Sequence, residues 1–396
     1  MLKTYLYKSL SLFFILGFLF IPLTFYGLAW QYSLTRFLFF KPVVFIQDHF
    51  FTGAIKNIDF SSDTVSLNIL LCLLLALAFS VTLLLQIFKI NTAKIISFTR
   101  YVSVYYIAMI LLRYGFDKVF KQQFYLPEPN ILYASFGSLH KDTLFWSTMG
   151  TSYSYSLATG IIEVFTAMLI LVRRTRVLGF CLATGVLINI LIINLSFDIS
   201  VKTFTTFLLA VVIFNVYPYL KALYFFFIQH KQAQLPATQR PATAKWAAVL
   251  ISVGLIVYLL FPYILAGNFN DDKAQRPLLH GAYDIERFII RADTLNKCDF
   301  PFKRFFVHRN DYIIFQRQDE TMTDYFFEMD PVKKRLKLQD YHNNKIIINY
   351  TYDEKASTLK LLFNNNDKWI IESKSLNWRQ LPALKDEIHY TIDEVK

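Results

Sequence analysis

Four charged residues lie in strongly apolar parts of the sequence, where a charge is energetically costly. Arg113, Asp117 and Lys118 follow the apolar run YIAMILL, and Glu163 lies near the middle of the apolar segment YSLATGIIEVFTAMLILV. Ionisable side chains inside a membrane span are rare, and they usually face protein or a water-filled cavity. These four residues are therefore the first candidates for a functional site.

The predicted depths of Arg113 and Glu163 favour an ion pair between them. If the helix of Arg113 continues to Lys121, Arg113 lies about 8 residues from its end, and Glu163 lies about 8 residues into the next span. At about 1.5 Å per residue, both residues lie some 12 Å below the same surface. Such a pair is either structural or part of a proton, quinone or substrate site. Asp117 and Lys118 are expected nearer the interface.

Two asparagines and one further charged pair extend the set of polar candidates. Asn189 and Asn194 lie in the following apolar segment, where amide side chains usually bridge helices. Asp198 and Lys202 lie at the turn before the next span, on its outer face. Capping and snorkelling are favoured there over a site role.

No catalytic residue or metal ligand set can be assigned from the sequence. Cys72 and Cys181 lie in apolar segments and Cys298 stands alone in the polar C-terminal part, so there is no CxxC pair. Ser/His/Asp and Cys/His arrangements, phosphate loops, haem-attachment motifs and zinc signatures are also absent from the sequence.

The elements that must position these residues are membrane spans. The chain of 396 residues is 55% hydrophobic with a mean hydropathy of +0.36, which is too apolar for one soluble core. Seven apolar segments are long enough to cross a bilayer. They cover about residues 10–30, 65–88, 95–120, 155–172, 177–196, 203–223 and 245–266.

The distribution of charge predicts the orientation of these spans. The whole net charge of +12 lies before residue 267, with about 20 basic and 8 acidic side chains. If the N-terminus is cytoplasmic, the inner segments contain basic residues and no acidic residue, as the positive-inside rule requires. The pattern favours an inner-membrane protein with a periplasmic C-terminal domain, and it argues against nucleic-acid binding.

The composition changes after Gly267 to short runs of alternating apolar and polar residues, which predict an antiparallel all-β sandwich or small barrel. This domain is expected to rest on the outer loops and to contain no catalytic residues. The predicted domains are residues 1–94, two spans with an aromatic outer loop; 95–228, a four-helix transmembrane unit; 229–266, a cytoplasmic linker and seventh span; and 267–396, a periplasmic β domain.

The order of the motifs resembles the DoxX-like family of membrane proteins. RYGFDKVF carries Gly115 and Lys118 as GxxK, ATGIIEVF carries Gly160 and Glu163 as GxxE, and QQFYLPEPN and WSTMG between them are similar to the longer relatives in Bacteroidota. The resemblance covers about residues 95–223. It implies an inner-membrane four-helix bundle that is often associated with redox systems, and it implies no catalytic assignment.

Two functions follow from these observations. A membrane accessory subunit, scaffold or assembly factor that holds a periplasmic or membrane protein partner is favoured, because no residue set completes a reaction. The alternative is a quinone- or lipid-binding subunit of a redox system, with its ligand near Arg113, Lys118 and Glu163. If the protein is enzymatic, it is then an oxidoreductase subunit. In both cases the lipid bilayer is a partner.

Overall fold

The protein is described by a computed structural model that covers residues 2–51, 58–61, 63–90, 93–232, 242–363 and 368–385. The chain divides into two compact units. The first contains Met1–Phe120 and Leu157–Phe269, and the second contains Lys121–Ser156 and Asn270–Lys396. The middle of the predicted cytoplasmic linker, residues 233–241, lies outside the described residues.

Seven helices in the described chain are long and apolar enough to cross a membrane, which confirms the predicted helical fold class. Apolar runs of this length become helices because lipid offers backbone groups no other hydrogen-bond partner. The helices are α1 (Leu2–Phe20), α2 (Ala29–Phe50), α3 (Val65–Ile87), α4 (Ala93–Val119), α5 (Pro129–Leu132), α6 (Lys141–Thr151), α7 (Tyr153–Leu171), α8 (Arg176–Ser196), α9 (Lys202–Val216), α10 (Leu220–Phe227) and α11 (Ala242–Ala266). Of these, α2, α5 and α6 are not candidate spans, and α9 and α10 share one span.

The first span differs from its prediction over residues 10–30. It ends at Phe20, and after a non-helical segment α2 begins at Ala29. From residue 31 onwards this second helix occupies the part predicted to be an aromatic outer loop, residues 31–64. Gln31 explains the break, because its buried amide accepts a hydrogen bond from the Leu23 N–H at 3.0 Å. The same amide donates to two carbonyl groups at the end of α1, at 3.0 and 2.9 Å. One side chain thus satisfies backbone groups that the helix end leaves open.

The second unit is built on an antiparallel β-barrel, one of the two forms that the alternating sequence predicts. Strand β1 pairs with both β3 and β9, so eight strands close on themselves, while the short β2 pairs with the end of β1. The strands are β1 (Gly281–Ile290), β2 (Asp293–Thr294), β3 (Arg304–Val307), β4 (Tyr312–Gln316), β5 (Met322–Asp330), β6 (Arg335–Gln339), β7 (Lys345–Asp353), β8 (Thr358–Phe363) and β9 (Ile370–Leu376).

Aromatic side chains fill the interior of the barrel. Tyr283, Phe288, Phe305 and Phe315 are all buried in one cluster, and the rings of Tyr283 and Phe305 stack with centroids 4.9 Å apart. An eight-stranded barrel is wide enough either to be filled by its own side chains or to hold one small ligand, and here large buried aromatic and aliphatic side chains form one continuous cluster. The interior is therefore a hydrophobic core rather than a cavity.

The outer surface of β1, β3 and β4 is covered by another part of the second unit. Phe306, Ile314 and Trp378 form a buried cluster against which Leu132 and Tyr133 pack, and the rings of Tyr133 and Phe306 stack with centroids 5.9 Å apart. The segment that contains α5 is therefore part of the barrel unit. Four candidate spans separate it from the strands in sequence, and an even number returns the chain to the same side of a membrane.

Candidate functional site

Helices α4 and α7 approach each other closely at two glycines. A Cβ atom on Gly115 would lie 3.0 Å from the carbonyl oxygen of Gly160 and 2.7 Å from a methyl group of Val164. A Cβ atom on Gly160 would lie 2.7 Å from the carbonyl oxygen of Gly115. Small residues at such contacts let helix backbones pack closely in lipid, where the hydrophobic effect does not drive helices together.

Lys118 and Glu163 form an ion pair next to this crossing. Each follows its glycine by three residues, and that spacing places both on the helix faces that meet. The Lys118 Nζ lies 2.8 Å from both carboxylate oxygens of Glu163. Their side chains are 8% and 5% exposed. The GxxK and GxxE spacing thus corresponds to one physical arrangement: a close crossing followed by a buried charge pair.

The predicted pair between Arg113 and Glu163 is wrong. Arg113 Nε instead lies 3.2 Å from Asp117 on the next turn of α4, and Asp117 accepts a hydrogen bond of 2.6 Å from the Tyr263 hydroxyl. Depth in the membrane does not show the direction in which a side chain points from its helix. Arg113 and Lys118 are five residues apart, so their side chains point in directions about 140° apart around α4. Only Lys118 lies on the glycine face of α4, so it is the partner of Glu163.

The other predicted polar residues do not join this pair. Asn194 is buried, and its Nδ2 donates to the Thr205 hydroxyl of α9 at 3.0 Å. Asn189 is exposed, and no described residue forms a hydrogen bond with its side chain. Lys202 lies 2.8 Å from Asp198, whose side chain is 83% exposed. These last two residues form a surface pair rather than a site.

A second charge cluster, which the sequence reasoning missed, lies in the second unit around Glu128. This side chain is 4% exposed, and one carboxylate oxygen lies 2.8 Å from His280 Nε2. The other oxygen accepts a hydrogen bond from Arg309 Nε, and the backbone N–H of Arg309 also donates to Glu128 at 3.3 Å. His308 Nε2 lies 4.0 Å away. One carboxylate thus contacts three residues from two distant segments.

The same network continues through Arg309 and a buried lysine. Arg309 Nη1 lies 2.5 Å from Asp271, which also pairs with Arg276 at 2.9 Å. The fully buried Lys121 lies 3.2 Å from Asp272 and donates to a backbone carbonyl at 2.7 Å. Together these contacts join three parts of the second unit to one another: the segment after α4, the segment after α11 and the β3–β4 turn. We call Glu128, His280, His308, Arg309 and Asp271 the Glu128 cluster.

Three pKa values in the Glu128 cluster are shifted downwards, those of Glu128, Asp271 and His308. Burial alone would raise the pKa of Asp271, but the hydrogen bond from Arg276 and the charge of Arg309 lower it. Burial alone would raise the pKa of Glu128, but the hydrogen bond from His280 and the charge of Arg309 lower it to about 2. Burial lowers the pKa of His308, and the charge of Arg309 acts in the same direction, although Glu128 opposes it. Glu128 is therefore ionised throughout the physiological pH range, and the contacts of the cluster are more stable at neutral pH than in acid.

A local signal for the Glu128 cluster exists in the sequence. Glu128 stands between two prolines in LPEPN, and Arg309 follows His308 in the turn HRND between two strands. An acidic residue fixed by flanking prolines in an aromatic segment is a candidate for a tertiary contact. Its partners cannot be read locally, because 181 residues separate Glu128 from Arg309.

Neither cluster resembles a complete catalytic centre. The described residues contain no group of three His, Cys, Asp or Glu side chains that could hold a metal ion. Cys72, Cys181 and Cys298 are all free thiols. Each charged residue described above has an oppositely charged partner, so the two clusters are organised as networks of ion pairs.

Comparison with known proteins gives one partial similarity. No family model matches the chain, and no solved structure matches it. The chain is 34% identical over 104 residues to "Uncharacterized protein YwoB" of Bacillus subtilis (strain 168). The match covers 26% of this chain and 66% of YwoB, so the chain spans slightly less than two thirds of that relative. This similarity carries no statement about function.

The Lys118–Glu163 pair leads to a prediction about the stability of the helical unit. Glu163→Gln and Lys118→Gln each leave one buried charge without its partner, and we expect each to lower the free energy of unfolding by about 3–5 kcal/mol. The double change Lys118→Met with Glu163→Leu removes both charges and should recover most of this loss. The measurement is thermal unfolding of the purified protein in detergent.

Asp198→Asn is the control for this experiment. It makes the same carboxylate-to-amide change in an exposed pair, and asparagine tolerates the positive φ of 53° at this position. We expect a change of at most about 1 kcal/mol. Wild-type unfolding of both single variants would show that the ion pair does not hold α4 and α7 together.

The lowered pKa values predict that the second unit loses stability in acid. The folded form resists protonation of His308 below about pH 6.5 and of Glu128 below about pH 4.5, so stability present at pH 7 is lost as the pH falls through this range. Glu128 alone contributes up to roughly 3 kcal/mol between pH 5 and pH 2. Unfolding midpoints at pH 7, 5, 4 and 3, followed by tryptophan fluorescence, measure this loss.

Glu128→Gln should lower the midpoint at pH 7 and flatten its dependence between pH 5 and pH 2. Glu328→Gln provides the control, because Glu328 forms an exposed pair with Lys337 on the barrel surface. This control should retain the wild-type acid dependence. An acid profile that is the same in wild type and Glu128→Gln would refute the role of Glu128.

Proposed function

We propose that the protein is an inner-membrane accessory subunit, scaffold or assembly factor that holds a protein partner through its second unit. The observation that carries this proposal is the barrel core, in which buried aromatic and aliphatic side chains form one cluster; this leaves the outer surface of the barrel as the place for binding. The DoxX-like motifs support an inner-membrane protein associated with larger assemblies. The saturated ion pairs in both units also favour an accessory role over catalysis.

The surface best suited to a partner lies on β5 to β7. Phe326 and Ile347 project outward from these strands, and Tyr341 lies on the turn between β6 and β7 with 77% of its surface exposed. Their neighbours are charged, as in the pair of Glu328 with Lys337. Exposed aromatic anchors within a polar surround are typical of protein interfaces. We call Phe326, Tyr341 and Ile347 the open patch.

Photocrosslinking in cells tests the proposal. A photoreactive amino acid at Tyr341 or Ile347 should give the same discrete protein adduct, because both positions face the same partner. The control position is Lys297, whose side chain is 74% exposed and which is not part of the open patch. Absence of an adduct at both patch positions, or the same adducts at Lys297, would contradict the proposal.

We also propose that the N-terminus is cytoplasmic and that the second unit is periplasmic. The basic residues of the inner segments support this orientation. Alkaline phosphatase fused after Lys396 should be active, whereas a fluorescent protein at the same point should be dark. The opposite pair of results would reverse the orientation of every span.

A quinone- or lipid-binding role in a redox system is the alternative function. The observation that favours it is the concentration of charge in the candidate spans, where Arg113 and Asp117 lie beside Tyr263 and Lys118 pairs with Glu163. Polar groups in lipid often mark a ligand pathway. Solvent extraction of the pure protein distinguishes the two functions: a stoichiometric quinone favours the alternative, and a stoichiometric protein without quinone favours the scaffold.

A further inference from the structure

One face of α8 is exposed along its whole length. At its centre, a Cβ atom on Gly185 would meet nothing within 4 Å. The residues of this face are separated alternately by four and three positions, the spacing of a helix–helix seam. They are Leu178, Leu182, Gly185, Asn189, Ile192 and Ser196.

Asn189 is the residue on this face that needs a partner. It follows Arg176 by 13 residues and precedes Ser196 by 7 in a helix of 21 residues, so it lies about 20 Å and about 10 Å from the two ends. This position is inside the hydrocarbon of a bilayer that the helix spans. Lipid cannot hydrogen-bond the amide, so both its donors and its acceptor are left unsatisfied there.

Two other asparagines in the spans show how such amides are satisfied within the chain. Asn194 donates to the Thr205 hydroxyl at 3.0 Å, and Asn215 donates to the Val211 carbonyl of its own helix at 2.8 Å. Both side chains are buried. Asn189 is exposed and has no hydrogen-bond partner among the described residues, so its amide is accessible to a partner from a second molecule.

We propose that the exposed face of α8 is the contact between two copies of this protein, with Asn189 paired to the same residue of the second copy. Copies inserted in one membrane share one orientation, so a twofold axis along the membrane normal brings equal depths together. An amide carries both donors and an acceptor, and two copies of Asn189 therefore satisfy each other. A helix of another protein would need a polar group at the same depth.

Gly185 supports this arrangement from the next turn of the helix. It lies four residues before Asn189 on the same face, and the absence of a side chain lets two helix backbones approach. Polar side chains beside small residues are the usual means of association between helices in lipid. The proposal is independent of the open patch, because it concerns copies of this chain and a different unit.

Energy transfer between donor- and acceptor-labelled copies of the full-length protein in liposomes tests the pairing. Titrating the protein-to-lipid ratio gives an association constant. We expect Asn189→Leu to lower this constant about tenfold, and Asn189→Gln, which retains an amide, to lower it much less. Ser80→Leu is the matched control, because Ser80 is an exposed polar residue of the α3 span; it should leave the constant unchanged.

Leucine at an exposed position in lipid does not disturb the fold, and unchanged thermal unfolding of Asn189→Leu checks this. A wild-type protein that is monomeric at every ratio would overturn the proposal. An equal association constant for wild type and Asn189→Leu would also overturn it. A third outcome would overturn it as well: the purified wild type contains one copy of this chain with a different protein bound, and Asn189→Leu loses that protein. The exposed face of α8 would then bind that other protein.

Discussion

The contact between Glu128 and Arg309 is the constraint on which the second unit depends. It joins a segment that follows α4 to a turn of the barrel, and Asp271 adds the segment that follows α11. Buried ion pairs contribute little net stability, because desolvation offsets their attraction, but removing one partner is strongly destabilising. The contact therefore specifies which segments belong together, while the aromatic core of the barrel provides most of the stability.

Each of the two units is stabilised by a different kind of interaction. In the barrel, burial of apolar surface away from water drives folding. Between α4 and α7, lipid removes that driving force, and close backbone packing at Gly115 and Gly160 with one ion pair takes its place. Substitutions of the same size will therefore have different consequences in the two units.

The sequence predicts those features that depend on local pattern. Hydropathy locates the candidate spans, with an error at the first, which is predicted over residues 10–30 and ends at Phe20, because lipid around a span leaves a continuous apolar run. Alternation locates the barrel strands, because burial of one face of a strand leaves a period of two. Identifying Lys118 as the ion-pair partner of Glu163 requires the direction of each side chain around its helix, and predicted depth does not give that direction. The break before α2 depends on Gln31, and the Glu128 cluster depends on partners far away in sequence. Such contacts produce no local pattern of apolar and polar residues in the sequence.

The order in which the chain is synthesised gives the Glu128 cluster a further consequence. Arg309 is added 181 residues after Glu128, which takes roughly 10–40 s at ribosomal elongation rates. During this interval the segment with Glu128 has left the ribosome, while the strands that cover Tyr133 do not yet exist. Four spans must be inserted before they appear. Quality-control proteases and chaperones thus meet an uncovered aromatic segment in every nascent molecule, and a ribosome that stops before β3 leaves a product marked for removal by that segment.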